Sequence, residues 1–363
     1  MDHKTRSDSA KSGWERLRRE IARVIVIFLL LEIIARIPLV KSFLANKLDP
    51  YENLLWYSEN MPVYKHQLLN GPHYDVWMGG SSYMMTGLQP LWVQSEANAQ
   101  GIAELTFQNY GLNAMQNLND MADIYDKWMF QMDQPQYMVL GISISNFTQS
   151  AKLGSRARSS PMERTYIFPT SIDDYIGGWL FNNSVLYRYA LLLRNATFIP
   201  QGAALLQPMP LGGFVEGIDS FTGCDSKAWV PTTTPPGLTV FNDFSSLDHF
   251  INVIRARNIP IAVVNIPRQY CGLRLSFSNY DDYASSYLMN VSKHLKDLDV
   301  PFLDLDTQFY AQIKENEQYQ YFRDISHPNT EGARLFSQWT GDFVAKWLKQ
   351  MNLVQLIPIT NNN

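Results

Sequence analysis

Asp324 and His327 stand three residues apart, just ahead of an amphipathic segment. On a single loop that spacing lets a carboxylate reach Nδ1 of an imidazole and leaves Nε2 free to face a hydroxyl. The hydroxyl that suits it lies in the first third of the chain. There the apolar run Tyr74-Asp-Val-Trp-Met-Gly-Gly-Ser-Ser82 ends in glycines and serine, as a buried parallel strand does when it delivers a nucleophile to the carboxyl edge of a sheet. Serine is a weak nucleophile until a base takes its proton, and the base needs a third group to fix its tautomer. The order Ser, Asp, His therefore points to acyl transfer through a covalent serine ester.

The other five histidines fit that role less well. His3 precedes the apolar N-terminal segment, and His66 has no acid placed to orient it. His73 comes before the strand, at the end opposite the active edge. His249 and His294 fall in helical patterns whose spacing reads as a solvated face. Ser81 is the alternative to Ser82 as nucleophile.

The elements that must position these groups alternate along the chain. Buried strands are expected at 74–78, 103–107, 137–142, 260–266 and 301–305, and helices at 114–132, 241–257, 281–298 and 330–351. In the last, Leu335, Phe336, Trp339, Phe343, Val344, Trp347 and Leu348 recur at three- and four-residue intervals as a core-facing stripe. Strands alternating with helices mean a five-stranded parallel sheet with right-handed crossovers, a three-layer α/β/α domain. The stretch 148–240 breaks the alternation. It opens on Gly154-Ser-Arg-Ala-Arg-Ser-Ser-Pro161, holds a helical pattern at 184–194, and closes on Val230-Pro-Thr-Thr-Thr-Pro-Pro-Gly237. It reads as a lid-like insertion over the catalytic edge.

At these residues the chain resembles the SGNH/GDSL hydrolase superfamily. Gly80-Ser81-Ser82 stands where that family has Gly-Asp-Ser, and Asp324-Ile-Ser-His327 matches its closing Asp-x-x-His. The resemblance runs from about 74 to 350 and implies a flavodoxin-like SGNH fold with Ser82, Asp324 and His327 as the triad. It implies an oxyanion hole built from the Ser82 N–H, from Gly111 or Ala114 in Asn109-Tyr-Gly-Leu-Asn-Ala114, and from an asparagine after the third strand. That asparagine would be Asn146, with Ser143 or Ser145 as substitutes. Gly-Ser-Ser in place of Gly-Asp-Ser, the N-terminal segment and the mid-chain insertion resemble DltD-type and alginate O-acetylation-type proteins. That implies a role outside the cytoplasmic membrane beside a polytopic membrane O-acyltransferase, with an acylated glycan or other cell-surface polymer as substrate. The non-enzymatic alternative is a catalytically degenerate SGNH-like scaffold that binds polysaccharide or a membrane partner.

The N-terminus suggests the compartment. Lys4, Arg6, Lys11, Arg16, Arg18, Arg19 and Arg23 precede Val24-Ile-Val-Ile-Phe-Leu-Leu-Leu31 and its continuation to Val40. A spanning helix needs ~20 mostly apolar residues. The expected division is a cytoplasmic basic tail at 1–20, a signal anchor at 21–41, an extracytoplasmic catalytic domain at 42–351 and a tail at 352–363. Glu32 and Arg36 fall inside the anchor, each costing ~2–3 kcal/mol near a bilayer centre. Four residues apart, they would pair with each other or face a membrane partner.

The bulk numbers narrow the rest. Of the 363 residues 46% are hydrophobic and 18% charged, enough to bury a large core. The net charge of −4, with basic residues clustered only at the N-terminus, gives nucleic acid no footing. Cys224 and Cys271 are the only cysteines and lack zinc spacing, so no metal or other cofactor is expected. Outside the cytoplasm the two could form one disulfide or stay unpaired. Neither GxGxxG, a P-loop, HExxH nor Gly-x-Ser-x-Gly occurs, which leaves nucleotide, zincin and ordinary α/β-hydrolase readings without a motif.

Overall fold

The apolar runs form strands that are buried on both faces, and the packing sorts their residues by parity. In the computed structural model, residues 3–40, 43, 53–102, 105–112, 117–147, 172–187, 243–269, 280–323 and 327–351 are described. Five strands, β1 (Val76–Gly80), β2 (Phe107–Asn109), β3 (Tyr137–Ile142), β4 (Ile261–Asn265) and β5 (Phe302–Asp304), form one sheet in the order β2-β1-β3-β4-β5. Every neighbouring pair is parallel. Val76, Met78, Val139, Ala262 and Val264 pack on one side, and Trp77, Met138, Leu140, Ile261 and Val263 on the other. Successive strand residues point to opposite faces, so an unbroken apolar run serves two cores.

Ten helices flank or precede the sheet among the described residues. They are α1 (His3–Arg36), α2 (Asn53–Asn70), α3 (Ser82–Gly87), α4 (Pro90–Ala99), α5 (Leu118–Lys127), α6 (Ile172–Asn183), α7 (Ser245–Ala256), α8 (Tyr280–Asp297), α9 (Leu305–Gln312) and α10 (Thr330–Gln350). The face carrying Trp77 is covered by α5, α7 and α8. The opposite face is covered by α3, α4, α9 and α10. This is the expected three-layer α/β/α arrangement.

The boundaries moved for identifiable reasons. The first strand starts at Val76 rather than 74 and runs through both glycines. The Asp75 carboxylate is held by Thr106, accepting from its backbone N–H at 2.8 Å and its hydroxyl at 2.7 Å, so Asp75 closes the strand's entrance instead of joining the ladder. The helix expected at 114–132 shortens to α5, capped by the Asn117 side chain, with a 3-10 turn at Met129–Gln131 behind it. Of the helix expected at 184–194, residues 185–187 are helical, Ser184 precedes the turn, and 188–194 lie outside the described residues. So do most of the insertion and both cysteines. Helices α3, α4, α6 and α9 were not expected; α3 and α9 are too short to show a period of 3.6.

The N-terminal apolar segment is helical, but no helix of the described residues is long and apolar enough to cross a membrane. The uninterrupted apolar run ends at Leu31, and Glu32 and Arg36 follow inside α1. These two pair as expected, with Arg36 Nε 2.9 Å from Glu32 Oε1. The Glu32 carboxylate has further partners within the chain: Ser184 Oγ and the backbone N–H groups of Val185 and Leu186 donate to it at 2.8–3.0 Å.

Candidate active site

In the strand order 2-1-3-4-5 the chain reverses its direction of winding between β1 and β3, and a crevice forms at the carboxyl ends of those strands. Ser82 lies there, as the first residue of α3. Reaching it requires glycine. Gly80 has φ +145°, and a Cβ on it would sit 2.5 Å from the Gly141 carbonyl oxygen of β3. A Cβ on Gly79 would meet the Tyr125 hydroxyl at 2.6 Å, and one on Gly141 would meet Met84 at 2.5 Å. The bare strand ends let α3 pack directly on the sheet edge, and they fix the Ser82 side chain where β1 stops.

The histidine is set by a second device. The Phe322–Pro328 bridge and the hydrogen bond from Arg323 N–H to the His327 carbonyl, at 3.0 Å, hold residues 322–323 against residues 327–328. Asn329 then caps α10: its Oδ1 accepts from Gly332 N–H at 3.1 Å, and its own N–H donates to the Tyr321 carbonyl at 3.0 Å. With both arms fixed, His327 Nε2 lies 3.0 Å from Ser82 Oγ. Ser82 is 7% exposed, so its hydroxyl is largely shielded from competing water. Ser81, the alternative, is 1% exposed, and its hydroxyl has no partner among the described residues. Of the two serines, Ser82 is the one whose hydroxyl lies within hydrogen-bonding distance of His327. Asp324 lies outside the described residues.

Tyr83 was not singled out by the sequence. Its ring stacks on the His327 imidazole with centroids 5.5 Å apart and planes at 26°. The Arg268 guanidinium lies 5.3 Å from the centroid of the same ring. Arg268 also donates from Nη1 to Ser145 Oγ at 3.3 Å, reaching from beyond β4 to the turn beyond β3. Arginine, tyrosine and histidine thus form a stack beside Ser82, with the cation placed on an aromatic face. No motif announces it, since its members come from three distant segments.

The expected oxyanion donors fare differently. The Ser82 N–H, in the first turn of α3, has no carbonyl partner within its own helix. The Gly111 N–H is already donated to Asn109 Oδ1 at 2.9 Å, and its carbonyl accepts from Tyr64 Oη at 3.0 Å. Glycine is required at 111 for packing, because a Cβ would fall 2.8–2.9 Å from Met85. Ala114 is outside the described residues. Asn146 is buried in the turn Ile144–Phe147, where its Oδ1 accepts from Ser143 N–H at 2.8 Å. That bond directs the carbonyl end of the amide into the turn and makes Nδ2 its donor end. Ser143 Oγ and Ser145 Oγ lie 2.7 Å apart and bond to each other.

Asn109 is a further residue the sequence did not mark. Fully buried at the end of β2, it donates from Nδ2 to the carbonyls of Met84 (2.9 Å) and Leu88 (2.8 Å) while its Oδ1 holds Gly111. One side chain ties the helix carrying Ser82 to the neighbouring strand. Elsewhere, His294 is not the solvated group its helical pattern suggests. It pairs with Asp248 at 2.6 Å and stacks on Phe244 at 4.7 Å. His73 pairs with Asp133 at 3.0 Å, at the opposite end of the sheet. No metal-binding cluster occurs among the described residues.

No family model matches the chain, and no curated protein does. Among solved structures, a lipase/acylhydrolase from Enterococcus faecalis is similar at TM-score 0.42 and 10% identity, over 78% of this chain and 98% of that one. The Bacillus subtilis protein YXIM is similar at TM-score 0.32 and 13% identity, over 78% of this chain and 58% of its own.

Proposed function

We propose that this chain is a serine-dependent ester hydrolase or O-acyltransferase. The observation that carries the reading is the 3.0 Å approach of His327 Nε2 to Ser82 Oγ at the switch point of the sheet. In that reading Ser82 Oγ attacks the acyl carbonyl while its proton passes to Nε2. The Ser82 N–H, with Ala114 or the amide of Asn146, stabilises the oxyanion. His327 returns the proton to the departing alkoxide, leaving an acyl-serine. Water or an acceptor hydroxyl then attacks, giving its proton to His327, and as the ester bond to Ser82 breaks His327 returns that proton to Ser82 Oγ. Asp324, from the same loop as His327, would orient the imidazole.

The substrate class rests on the resemblance to membrane-anchored SGNH proteins: acyl esters of an extracytoplasmic glycan, handled beside a polytopic membrane O-acyltransferase. The lipid association that goes with it has its own support in α1. From Val24 to Leu31 every residue is at least 38% exposed, so the apolar surface runs all round the helix. A helix that is apolar on every side belongs in a buried or lipid setting, and Arg16, Arg18, Arg19 and Arg23 at its approach suit anionic headgroups.

A fluorophosphonate probe tests the chemistry. Labelling of the full chain that disappears in Ser82→Ala and falls sharply in His327→Ala supports the enzyme. An unlabelled, folded wild-type chain would leave the polysaccharide- or partner-binding alternative. Product analysis with and without a glycan acceptor separates transfer from hydrolysis.

A further inference from the structure

The mid-chain insertion enters the described structure at α6, and α6 is joined to α1 through one buried carboxylate. Glu32 is 8% exposed although it sits in the most exposed helix of the molecule. It receives four donors: Arg36 Nε at 2.9 Å, Ser184 Oγ at 2.8 Å, Val185 N–H at 2.9 Å and Leu186 N–H at 3.0 Å. The last two are orphan N–H groups at the start of the helical turn 185–187, which a carboxylate satisfies well. Arg36 reaches on to the Asn183 carbonyl at the end of α6. Ala35, about one turn from Glu32, is also buried, at 3% exposed. A charge that would be costly in an apolar setting is thus fully hydrogen-bonded within the chain.

The helix held by this joint carries an apolar stripe of its own. Ile172, Ile176 and Trp179 of α6 are 77%, 54% and 64% exposed. Spaced four and three apart, they fall within about 60° of arc at 3.6 residues per turn. Trp179 lies one turn before Asn183, so the stripe ends close to the level at which Glu32 leaves α1. A tryptophan at one end of an aliphatic stripe suits the headgroup boundary of a bilayer.

We propose that α6 is a second lipid-contacting element, laid into the membrane surface beside α1 and locked to it by Glu32. This rests on the lipid association of α1 proposed above. The occupant of the stripe is the bilayer that surrounds α1, because the exposed stripe is tied to the helix whose apolar surface has no single face for a protein groove. Two lipid-contacting elements then hold the chain at a set orientation to the membrane.

The test uses the full chain with Cys224 and Cys271 changed to Ser and one reporter cysteine, Leu29→Cys or Trp179→Cys, carrying an environment-sensitive NBD dye. Phosphatidylcholine–phosphatidylglycerol vesicles are added. Blue-shifted emission at both positions is expected. With Glu32→Ala added, the shift at 179 should be lost and the shift at 29 kept. A shift at 29 alone overturns this inference and leaves the lipid association of α1 standing. No shift at either position overturns both. A shift at 179 that survives Glu32→Ala overturns the joint.

Discussion

The Tyr83 ring lies against the His327 imidazole, centroids 5.5 Å apart, so the residue following Ser82 also supports the imidazole that faces the Ser82 hydroxyl. Tyr83→Phe keeps that surface and should keep near-normal turnover. Tyr83→Ala removes it and should lower kcat about 10- to 100-fold with little change in KM, because small misplacements of a catalytic group are that costly. Steady-state kinetics on a simple aryl ester would show the split, and a loss confined to KM would refute it.

Ser82→Ala should abolish ester turnover, by roughly 10⁴-fold or more, while leaving the thermal midpoint close to wild type. Ser81→Ala should cost far less, since its hydroxyl bonds to nothing described. Equal losses in the two variants would overturn the choice of Ser82.

Gly80 combines φ +145° with a carbonyl oxygen where a Cβ would sit. Gly80→Ala should destabilise the domain by about 3 kcal/mol or more, through backbone strain and collision together. Gly101 has φ +84° but nothing within 4 Å of a Cβ. Gly101→Ala should therefore cost only ~1–2 kcal/mol. Urea unfolding of both variants would check the difference.

Asn109→Ala strips the donor from two backbone carbonyls and the acceptor from one backbone N–H in a fully buried site. A loss of about 2–4 kcal/mol is expected. Asn109→Asp should not rescue it, because a carboxylate would face the carbonyls of Met84 and Leu88. Urea midpoints measure both, and a stable Asp variant would contradict the hydrogen-bond assignment.

Burial raises the phenols of Tyr64, Tyr110 and Tyr125 well above the ordinary tyrosine value; charges on neighbouring groups add to it. Above about pH 10 the unfolded chain releases protons that the folded chain keeps. Stability from these three is therefore complete below that pH and falls as pH rises, by ~4 kcal/mol per pH unit if all three act together. Absorbance at 295 nm should show a late tyrosine ionisation coinciding with loss of structure by circular dichroism.

What could be read from the sequence follows the physics of each element. Strands β3 and β4 were legible because runs such as Tyr137–Ile142 are apolar on both faces and bounded by turn residues. Helix α10 was legible from its stripe, and the Ser82–His327 pairing from two local motifs. The support around them was not. Asn109 works through three backbone groups, and Arg268 through an aromatic face, and neither leaves a spacing in the chain. Gly111 illustrates the opposite error: its position suggested an oxyanion donor, but its N–H is engaged by Asn109 and its missing side chain makes room for Met85. Glu32 and Arg36 were paired correctly from their i, i+4 spacing, whereas their docking on residues 183–186 depends on a contact about 150 positions away.

Nucleophile and base are 245 positions apart, and the base arrives just before α10, whose Gly341 seats against Val93 and Glu96 of α4. A chain still emerging from the ribosome would carry its serine for most of its synthesis with nothing to awaken it. Under the proposed function, reactivity would switch on only when the last long helix clips into place, and a truncated or half-folded copy would be chemically silent.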